Sequence, residues 1–552
     1  GAMAFAMGTG TLIASVGVGA LYRWAGAPWA FGSGAAAALV AAGILLSRLV
    51  GLVRQRVFSF YFGAGDESDA FTQAFRIPNI LQNLFGEGVL SASFIPVYSR
   101  LRARGDDVGR QEVAGAVLGV LALFSAIVVL LGVLAAPLLV HAIAPGFDGE
   151  KRELTVQLVR ILFPGAGLLV MAAWCLGVLN SHGKFFLSYA APVLWNACMI
   201  AALLGWGGQV SLPQLAVVLA WASVAGSALQ LVVQWRNVSR VLGVWRVTVS
   251  ARSPHVRTVL RNFGPVFVGR GVTQLSAYVD SFIASFLIVG APTILNNVQL
   301  LYMLPVSLFG MSISAAELPA MSSVTGERDE IAGRLRERLA LGLQRIAFFI
   351  VPSAVAFLAF GDLLARLVYE GGEFGPEDVE WMWGVMAGSA VGLLASTLGR
   401  LYASSLYALH DTRTPLRFAV VRVALTTALG FAASLWLPGA AGFDPRWAVA
   451  GLTVSAGVAA WVEFALLRRA VGERIGTVVL PRSFPLALWA CAAAAAAAGW
   501  GVRAWLGGAR GLVASALVLL AYSLAYGVAT FAAGVPQARA IVGRLARARR
   551  RD

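Results

Sequence analysis

The sequence predicts an all-α polytopic membrane protein with fourteen transmembrane helices, arranged as two pseudo-symmetric six-helix lobes plus two C-terminal helices. The 552-residue chain is 59% hydrophobic and only 13% charged, whereas soluble proteins carry about a quarter charged residues. Apolar runs of about 20 residues, the length that spans a bilayer, recur along most of the chain. Pairs of similar stretches in the two halves indicate an internal repeat.

The predicted spans follow the apolar runs in order. They lie at 33–61, 68–100, 113–143, 154–180, 184–206, 211–235, 258–289, 293–322, 338–368, 377–409, 416–437, 446–470, 483–505 and 511–534.

Charge alternates between the loops that join these spans. Loops after even-numbered spans are basic or mixed, and the tail RLARARRRD is basic too, whereas loops after odd-numbered spans are interpreted as neutral or acidic. The positive-inside rule then places both ends of the fourteen-span core in the cytoplasm. The net charge of +16 therefore indicates topology signals rather than a nucleic-acid surface.

The internal repeat divides the chain. VLNSHGKFF, which begins at Val178, resembles ALHDTRTPL at Ala408, and FIPVYS at Phe94 resembles ELPAMS at Glu317. Because both pairs keep the same span parity, the lobes are expected to share one orientation, with the cargo site between them. The predicted divisions are an N-terminal extension (1–32, a tag scar plus an apolar segment that is a candidate extra helix), the N-lobe (33–250), the C-lobe (251–475), helices 13 and 14 (476–535) and a basic cytoplasmic tail (536–552).

The second span carries a polar stripe. Its members recur at steps of three, four or seven and so share one helical face: Asp69, Gln73, Arg76, Asn83, Glu87 and Ser91. Ionisable groups at membrane depth are costly unless they face a wet cavity or a partner. The stripe is either a satisfied seam between packed helices or the wall of a cavity for a charged cargo, and the cavity is the favoured interpretation.

Arginines in other spans point to an anionic cargo. Span 1 carries Arg48 and Arg54, and span 7 carries Arg270 one turn from Gln274. Arginine suits bidentate capture of phosphate or carboxylate, and the acidic residues of span 2 are candidates to hold these arginines when cargo is absent. The predicted substrate-binding set is Arg48, Arg54, Asp69, Arg76, Asn83, Glu87, Arg270 and Gln274.

No pattern for catalysis is present in the sequence. There is no Walker loop and no His-rich metal spacing, and the three cysteines lie scattered in apolar segments. We therefore expect a transporter without catalytic residues, cofactor or bound metal. Asp280 is the only candidate metal ligand, and an ion pair between Asp280 and Arg422 is the competing interpretation.

Three stretches carry a resemblance to a known family: SRLVGLVRQRVFSFYFGAGDESDAF, FRIPNILQNLFGEGVLSASFIPVYS and YALHDTRTPLRFA. They resemble the MurJ (MviN) family, the lipid II flippases of bacterial cell-wall (peptidoglycan) synthesis, within the MOP exporter superfamily. The resemblance implies a V-shaped pair of lobes, a cationic central cavity and a lipid-tail groove on the last two helices. Alternating access would carry lipid II from the cytoplasmic to the outer leaflet of the bacterial cytoplasmic membrane.

The family's functional positions match this chain in part. Arg48 and Arg54 match its cavity arginines on the first helix, Asp69 its acidic residue at the start of the second, and Glu87 its glutamate in the FxEG element.

Two departures concern the family's positive charges. Gln82 stands where the family often has arginine, and Leu300 stands where it has a key arginine on the eighth helix. Arg76 and Arg270 are the candidates to replace those charges.

Some relatives share a sodium site built from helices 7, 11 and 12. Asp280 matches its helix-7 carboxylate, but the helix-11 positions are Thr426 and Gly430, which offer few of the oxygens that a hard cation requires. Arg422 nearby would oppose a cation further. We predict no sodium site of that type.

The expected partners are lipid II or a related polyprenyl-pyrophosphate glycolipid and the phospholipid bilayer, with cell-wall synthesis enzymes as further candidates. Nucleic acid is not expected, and a monomer is. Two alternatives stay open at this point: a flippase or exporter for another polyprenyl-linked saccharide, and a non-transporting scaffold of the cell-wall machinery.

Overall fold

The computed structural model describes most of the chain and is almost entirely helical there. The described residues are 31–85, 90, 93–243, 245–249, 253–322, 328–409, 411–442, 444–478, 480–481, 483–507 and 511–548. The predicted N-terminal extension falls outside this range apart from its last two residues, and so does Glu87.

The N-lobe contributes eight described helices. They are α1 (Phe31–Phe62), α2 (Asp66–Phe85), α3 (Ile95–Ala103), α4 (Asp107–Leu134), α5 (Ala136–Ile143), α6 (Gly149–Ser181), α7 (Phe185–Trp206) and α8 (Leu212–Leu242).

The rest of the chain continues in the same manner. Its helices are α9 (Pro254–Ala284), α10 (Ala291–Pro305), a π-helical segment (Val306–Met311), α11 (Ser312–Ser322), α12 (Arg328–Tyr369), α13 (Pro376–Ala408), α14 (Arg413–Phe431), a second π-helical stretch (Ala432–Trp436), α15 (Leu437–Ala441), a 3-10 turn (Pro445–Trp447), α16 (Ala448–Ile475), α17 (Ser483–Trp505), α18 (Leu512–Ala532) and α19 (Pro536–Ala548).

Ten helical stretches among the described residues are long and apolar enough to cross a membrane. They are α4, α6, α8, α10 with its continuation to Ser314, α12 from Asp329, α13, α14 with its continuation to Ala440, the stretch Pro445–Ile475, α17 and α18. The other four predicted spans coincide with α1, with α2 followed by α3, with α7 and with α9. The all-helical membrane class is confirmed, and fourteen spans are consistent with it.

Prolines mark where predicted spans are interrupted. The span predicted at 113–143 is two helices, because α4 ends at Leu134 and a new helix starts with Pro137 in its first turn. The span at 293–322 changes to π-helical geometry directly after Pro305. Proline removes a backbone donor and crowds the preceding turn, and π-helical segments are frequent at functional sites.

Buried apolar residues form separate clusters along the chain. Two lie within residues 57–259 and a third within 283–475, while a fourth joins α12 to α17, α18 and α19. Val256 and Val259 at the start of α9 belong to an N-lobe cluster, so the connection between the lobes is packed rather than loose. The exact lobe boundaries stay a prediction.

Candidate functional site

A buried carboxylate joins the lobes where α1 ends and α2 begins. Asp69 is 0% exposed. Its Oδ2 accepts hydrogen bonds from Lys151 Nζ at 2.8 Å and from Gly290 N at 2.7 Å. Its Oδ1 accepts from Thr293 N at 3.1 Å and Thr293 Oγ1 at 2.8 Å. The N-lobe thus supplies a carboxylate that caps a C-lobe helix, α10, whose first amides lack helical partners and favour negative charge.

Two neighbours complete this arrangement. Lys151 also pairs with Asp66 at 2.9 Å, and its ammonium lies 4.3 Å from the centre of the Phe147 ring. Gly290 adopts φ +89°, and a Cβ there would lie 2.5 Å from Ala64 O. A larger residue at 290 would therefore separate the two lobes at this point.

Arg56 makes a second connection at the same end of the bundle. Its Nη1 donates to Leu367 O at 3.1 Å and Val368 O at 2.7 Å, in the last turn of α12. Glu373 N donates to Phe60 O at 2.9 Å. The guanidinium thus satisfies carbonyls that a helix C-terminus leaves unpaired.

Buried polar contacts continue inward from these two connections. Gln55 Nε2 donates to Asn297 Oδ1 at 2.9 Å, and Gln73 Nε2 donates to Ser281 O at 3.0 Å. Arg76 donates to the Ser281 hydroxyl. In this conformation the first half of the polar stripe of α2 is a seam against α9 and α10, which is the alternative that the sequence left open. We call the set Arg56, Asp69, Lys151, Gly290 and Thr293 the inter-lobe lock.

Arg48 and Arg54 precede Arg56 on α1, and so they lie farther than the lock from the loop between α1 and α2. Arg48 is exposed and donates to Ser307 Oγ, in the π-helical segment of the C-lobe, at 3.2 Å. Arg54 is partly buried, with its guanidinium 5.1 Å from the Trp195 ring centre and 3.4 Å from Gln55 Oε1. Neither Arg48 nor Arg54 forms an ion pair with a carboxylate among the described residues. The positive charges of these two arginines are available to an anion.

Asp280 and Arg422 do not pair with each other. Arg422 Nη1 instead pairs with Glu463 Oε2 at 3.1 Å, because α14 packs along α16, which carries Glu463. Asp280 Oδ1 is buried without a hydrogen-bond partner among the described residues. The described residues also contain no group of three His, Cys, Asp or Glu side chains that could hold a metal.

The other candidate residues fall at less informative places. Asn83 is partly buried in the last turn of α2. Arg270 and Gln274 lie on α9, but their side chains, like Glu87, are outside what the structure describes. Their assignment to the substrate site stays a prediction.

The expectation that Asp69 holds the arginines of span 1 was wrong, because its partners are Lys151, Gly290 and Thr293. Lys151 is one of only two lysines in an arginine-rich chain, and it stands in a loop after an odd-numbered span, beside the acidic residues Asp148 and Glu150. That contrast was the available signal. Thr293 gave none, because a threonine near a helix start is common.

Comparison with known proteins decides the family. The family model described as "Lipid II flippase MurJ" matches residues 58–525, which is most of the chain. The chain belongs to this family. The lipid II flippase MurJ of Burkholderia cenocepacia is 31% identical over 429 residues, covering 77% of this chain and 80% of that protein. The probable lipid II flippase MurJ of Rhizobium meliloti is 30% identical over 439 residues, covering 78% and 79%.

Solved structures agree on the fold of the family. The chain is similar to a structure described as lipid II flippase MurJ in an inward closed conformation, with TM-score 0.73, 22% identity, and coverage of 89% of this chain and 98% of that one. It is also similar to an inward-facing multidrug resistance MATE family transporter of the MOP superfamily, with TM-score 0.62, 19% identity and coverage of 78% and 96%. The chain therefore shares its fold with these two transporters.

Proposed function

We propose that this protein flips lipid II from the cytoplasmic to the outer leaflet of the bacterial cytoplasmic membrane by alternating access. The observation that carries the proposal is the combination of a buried inter-lobe lock at one end with unpaired arginines between the lobes. Membership of the lipid II flippase family supports the choice of cargo. The chain acts as a transporter, without a catalytic residue of its own.

The direction of opening follows from the topology. The positive-inside rule places the α1–α2 loop, which adjoins the lock, on the outer face and both ends of the fourteen-span core in the cytoplasm. In that orientation the structure is closed toward the outside. Arg48, exposed beside the π-helical segment, then lies on the route from the cytoplasmic leaflet.

The cargo chemistry fits these side chains. Arg48 and Arg54 present planar guanidinium groups that bind phosphate oxygens in pairs. Arg54 is held against Trp195 and Phe75, so little side-chain entropy is lost when it binds. The pyrophosphate of lipid II is the anionic group best suited to these residues, while its tail stays in the bilayer or in the groove of α17 and α18.

Transport requires the lock to open when cargo is bound. A ligand shifts such an equilibrium only by binding one conformation more tightly than the other. Pyrophosphate bound between Arg48 and Arg54 would neutralise positive charge between the lobes and favour their closure on the cytoplasmic side. Closure on the cytoplasmic side moves α1 and α2 away from α10 at the opposite end of the bundle. This movement separates Asp69 from Thr293 and Gly290.

The experiment is complementation of a bacterium depleted of its own lipid II flippase, with lipid II in the outer leaflet measured by its accessibility to an added reagent. We expect the wild-type chain to restore growth and accessibility, and Arg48→Ala with Arg54→Ala to restore neither. The matched control is Arg469→Ala, which removes an exposed arginine that pairs with the exposed Glu473. Growth without outer-leaflet lipid II would indicate a non-transporting scaffold. Labelling of a different polyprenyl-linked saccharide in the outer leaflet would indicate a flippase or exporter for that saccharide.

A further inference from the structure

Two half-exposed arginines share one buried carboxylate at the junction of α11 and α12. Glu317 Oε1 accepts from Arg345 Nη1 at 3.0 Å, and its Oε2 lies 3.5 Å from Arg338 Nη1. The side chain of Glu317 is 11% exposed, whereas those of Arg338 and Arg345 are 46% and 45% exposed. The acid is thus inside and the two cations face outward, so the group presents a net charge of about +1.

Among the described residues, the geometry leaves guanidinium donors of Arg338 and Arg345 free for a second anion. Arg338 and Arg345 are seven residues apart, so they lie on one face of α12. Each guanidinium has five N–H donors, and Glu317 engages one nitrogen of each. Because both arginines reach the same carboxylate, their remaining donors lie close enough together to bind one ligand from two sides.

The position of this group connects it to the proposed pathway. One turn beyond Arg345, Phe349 stacks on Phe309 of the π-helical segment, with ring centres 4.3 Å apart and planes 4° apart. Ser307 of the same segment accepts the hydrogen bond from Arg48.

Gln344, the residue before Arg345, links the group to the C-terminal helices. Gln537 Nε2, on α19, donates a hydrogen bond to Gln344 Oε1 at 3.2 Å. The fourth apolar cluster also packs Phe348 of α12 against α17 and α18. The three residues therefore stand between Arg48 on one side and the helices proposed to guide the lipid tail on the other.

We propose that Arg338 and Arg345, positioned by Glu317, form the first docking site for the diphosphate of a prenyl lipid, before it reaches Arg48. The proposal rests on the proposed function and deepens it. A diphosphate carries more negative charge and more acceptor oxygens than the phosphodiester of a phospholipid, so it matches two converging guanidinium groups better. The negative charge of Glu317 offsets the repulsion between the two arginines, and Glu317 does not itself touch the ligand.

The test measures binding of farnesyl diphosphate to the purified full-length protein in nanodiscs. Arg338→Ala and Arg345→Ala are each expected to weaken binding about tenfold, as expected for loss of a charge-assisted contact. Glu317→Gln keeps the side-chain oxygen that accepts from Arg345 but removes a competing negative charge, so it is expected to strengthen binding several-fold. The matched control is Arg334→Ala on the same helix, whose arginine is 56% exposed and pairs with Glu330; no change is expected.

Competition by a phospholipid separates the two ligand sources. Vesicle phosphatidylglycerol should compete weakly with farnesyl diphosphate, and equal competition by phosphatidylglycerol would overturn the choice of a diphosphate. The proposal is also overturned if Arg345→Ala keeps wild-type affinity, or if Glu317→Gln weakens binding while the melting temperature is unchanged.

The Glu317→Gln arm guards against misfolding, because damage to the fold cannot raise affinity. Failure of this docking site is distinguishable from failure of the proposed function. In the first case the wild-type protein flips lipid II and the arginine variants do so equally well. In the second case the wild-type protein does not flip it at all.

Discussion

Replacing Asp69 with asparagine should open the inter-lobe lock without removing a side chain. The amide keeps one acceptor for Thr293, but its NH₂ group faces Lys151 and Gly290 N, which both donate to Oδ2 in the wild type. Each lost hydrogen bond to a charged group is worth about 1.5–3 kcal/mol. Asp66 remains as a partner for Lys151 at 2.9 Å, which offsets part of the loss.

The net loss should be about 3–5 kcal/mol, the usual cost of breaking a buried ion pair by removing one partner. The locked population then falls relative to the open one by about two to three and a half orders of magnitude, since about 1.4 kcal/mol is tenfold. The free energy of the whole fold should change less, because each lobe keeps its own apolar cluster.

Pulsed electron–electron double resonance, which measures the distance between two spin labels, would report this change directly. Spin labels at exposed positions 150 and 380, in a chain whose three cysteines are replaced, report the separation of the lobes beside the lock. Asp69→Asn should shift the distance distribution to longer values, and Asp66→Asn, whose side chain is 54% exposed, should leave it nearly unchanged because exposed pairs are weak. Identical distributions for wild type and Asp69→Asn would refute the assignment of Asp69 to the lock.

Three other perturbations test separate parts of the structure. Gly290→Ala should destabilise the locked form by about 1–3 kcal/mol, because φ is +89° and Ala64 O lies 2.5 Å from the new Cβ; an unchanged melting temperature and label distance would contradict this. Arg76→Ala and Arg270→Ala should each impair complementation of flippase-depleted cells if these arginines replace the family's missing charges; full growth of both variants would show that they do not. Burial and nearby cationic side chains lower the pKa of His182 to about 4. The unfolded chain therefore binds the proton first, and stability should fall as pH drops from about 6.5 toward 4. His182→Gln should flatten the dependence of the melting temperature on pH in that range, and an equal slope in both proteins would argue against this role of His182.

The positions of the helices were predictable from the sequence because lipid imposes length and composition on each span separately. The run at 483–505 and the helix Ser483–Trp505 agree to the residue. Interruptions such as the break before Pro137 were harder to predict, because a proline within an apolar run is compatible with either a kink or a new helix.

The site was predictable only in part. The charge of Asp69 and its helical face were evident, but its partners depend on how α2 meets α10, more than 200 residues later in the chain. Arg422 illustrates the same limit: the sequence offered Asp280 as its partner, and the packing of α14 along α16 gives it Glu463 instead.

The lock draws unequally on the two lobes. Arg56 and Asp69 contribute side chains from the N-lobe. Their hydrogen-bond partners in the C-lobe are largely main-chain atoms: Leu367 O, Val368 O and Gly290 N. A peptide group persists whatever side chain it carries. Substitutions in the N-lobe can therefore abolish the lock far more readily than substitutions in the C-lobe. A saturation library should find few tolerated changes at 56 and 69 but many at 367 and 368.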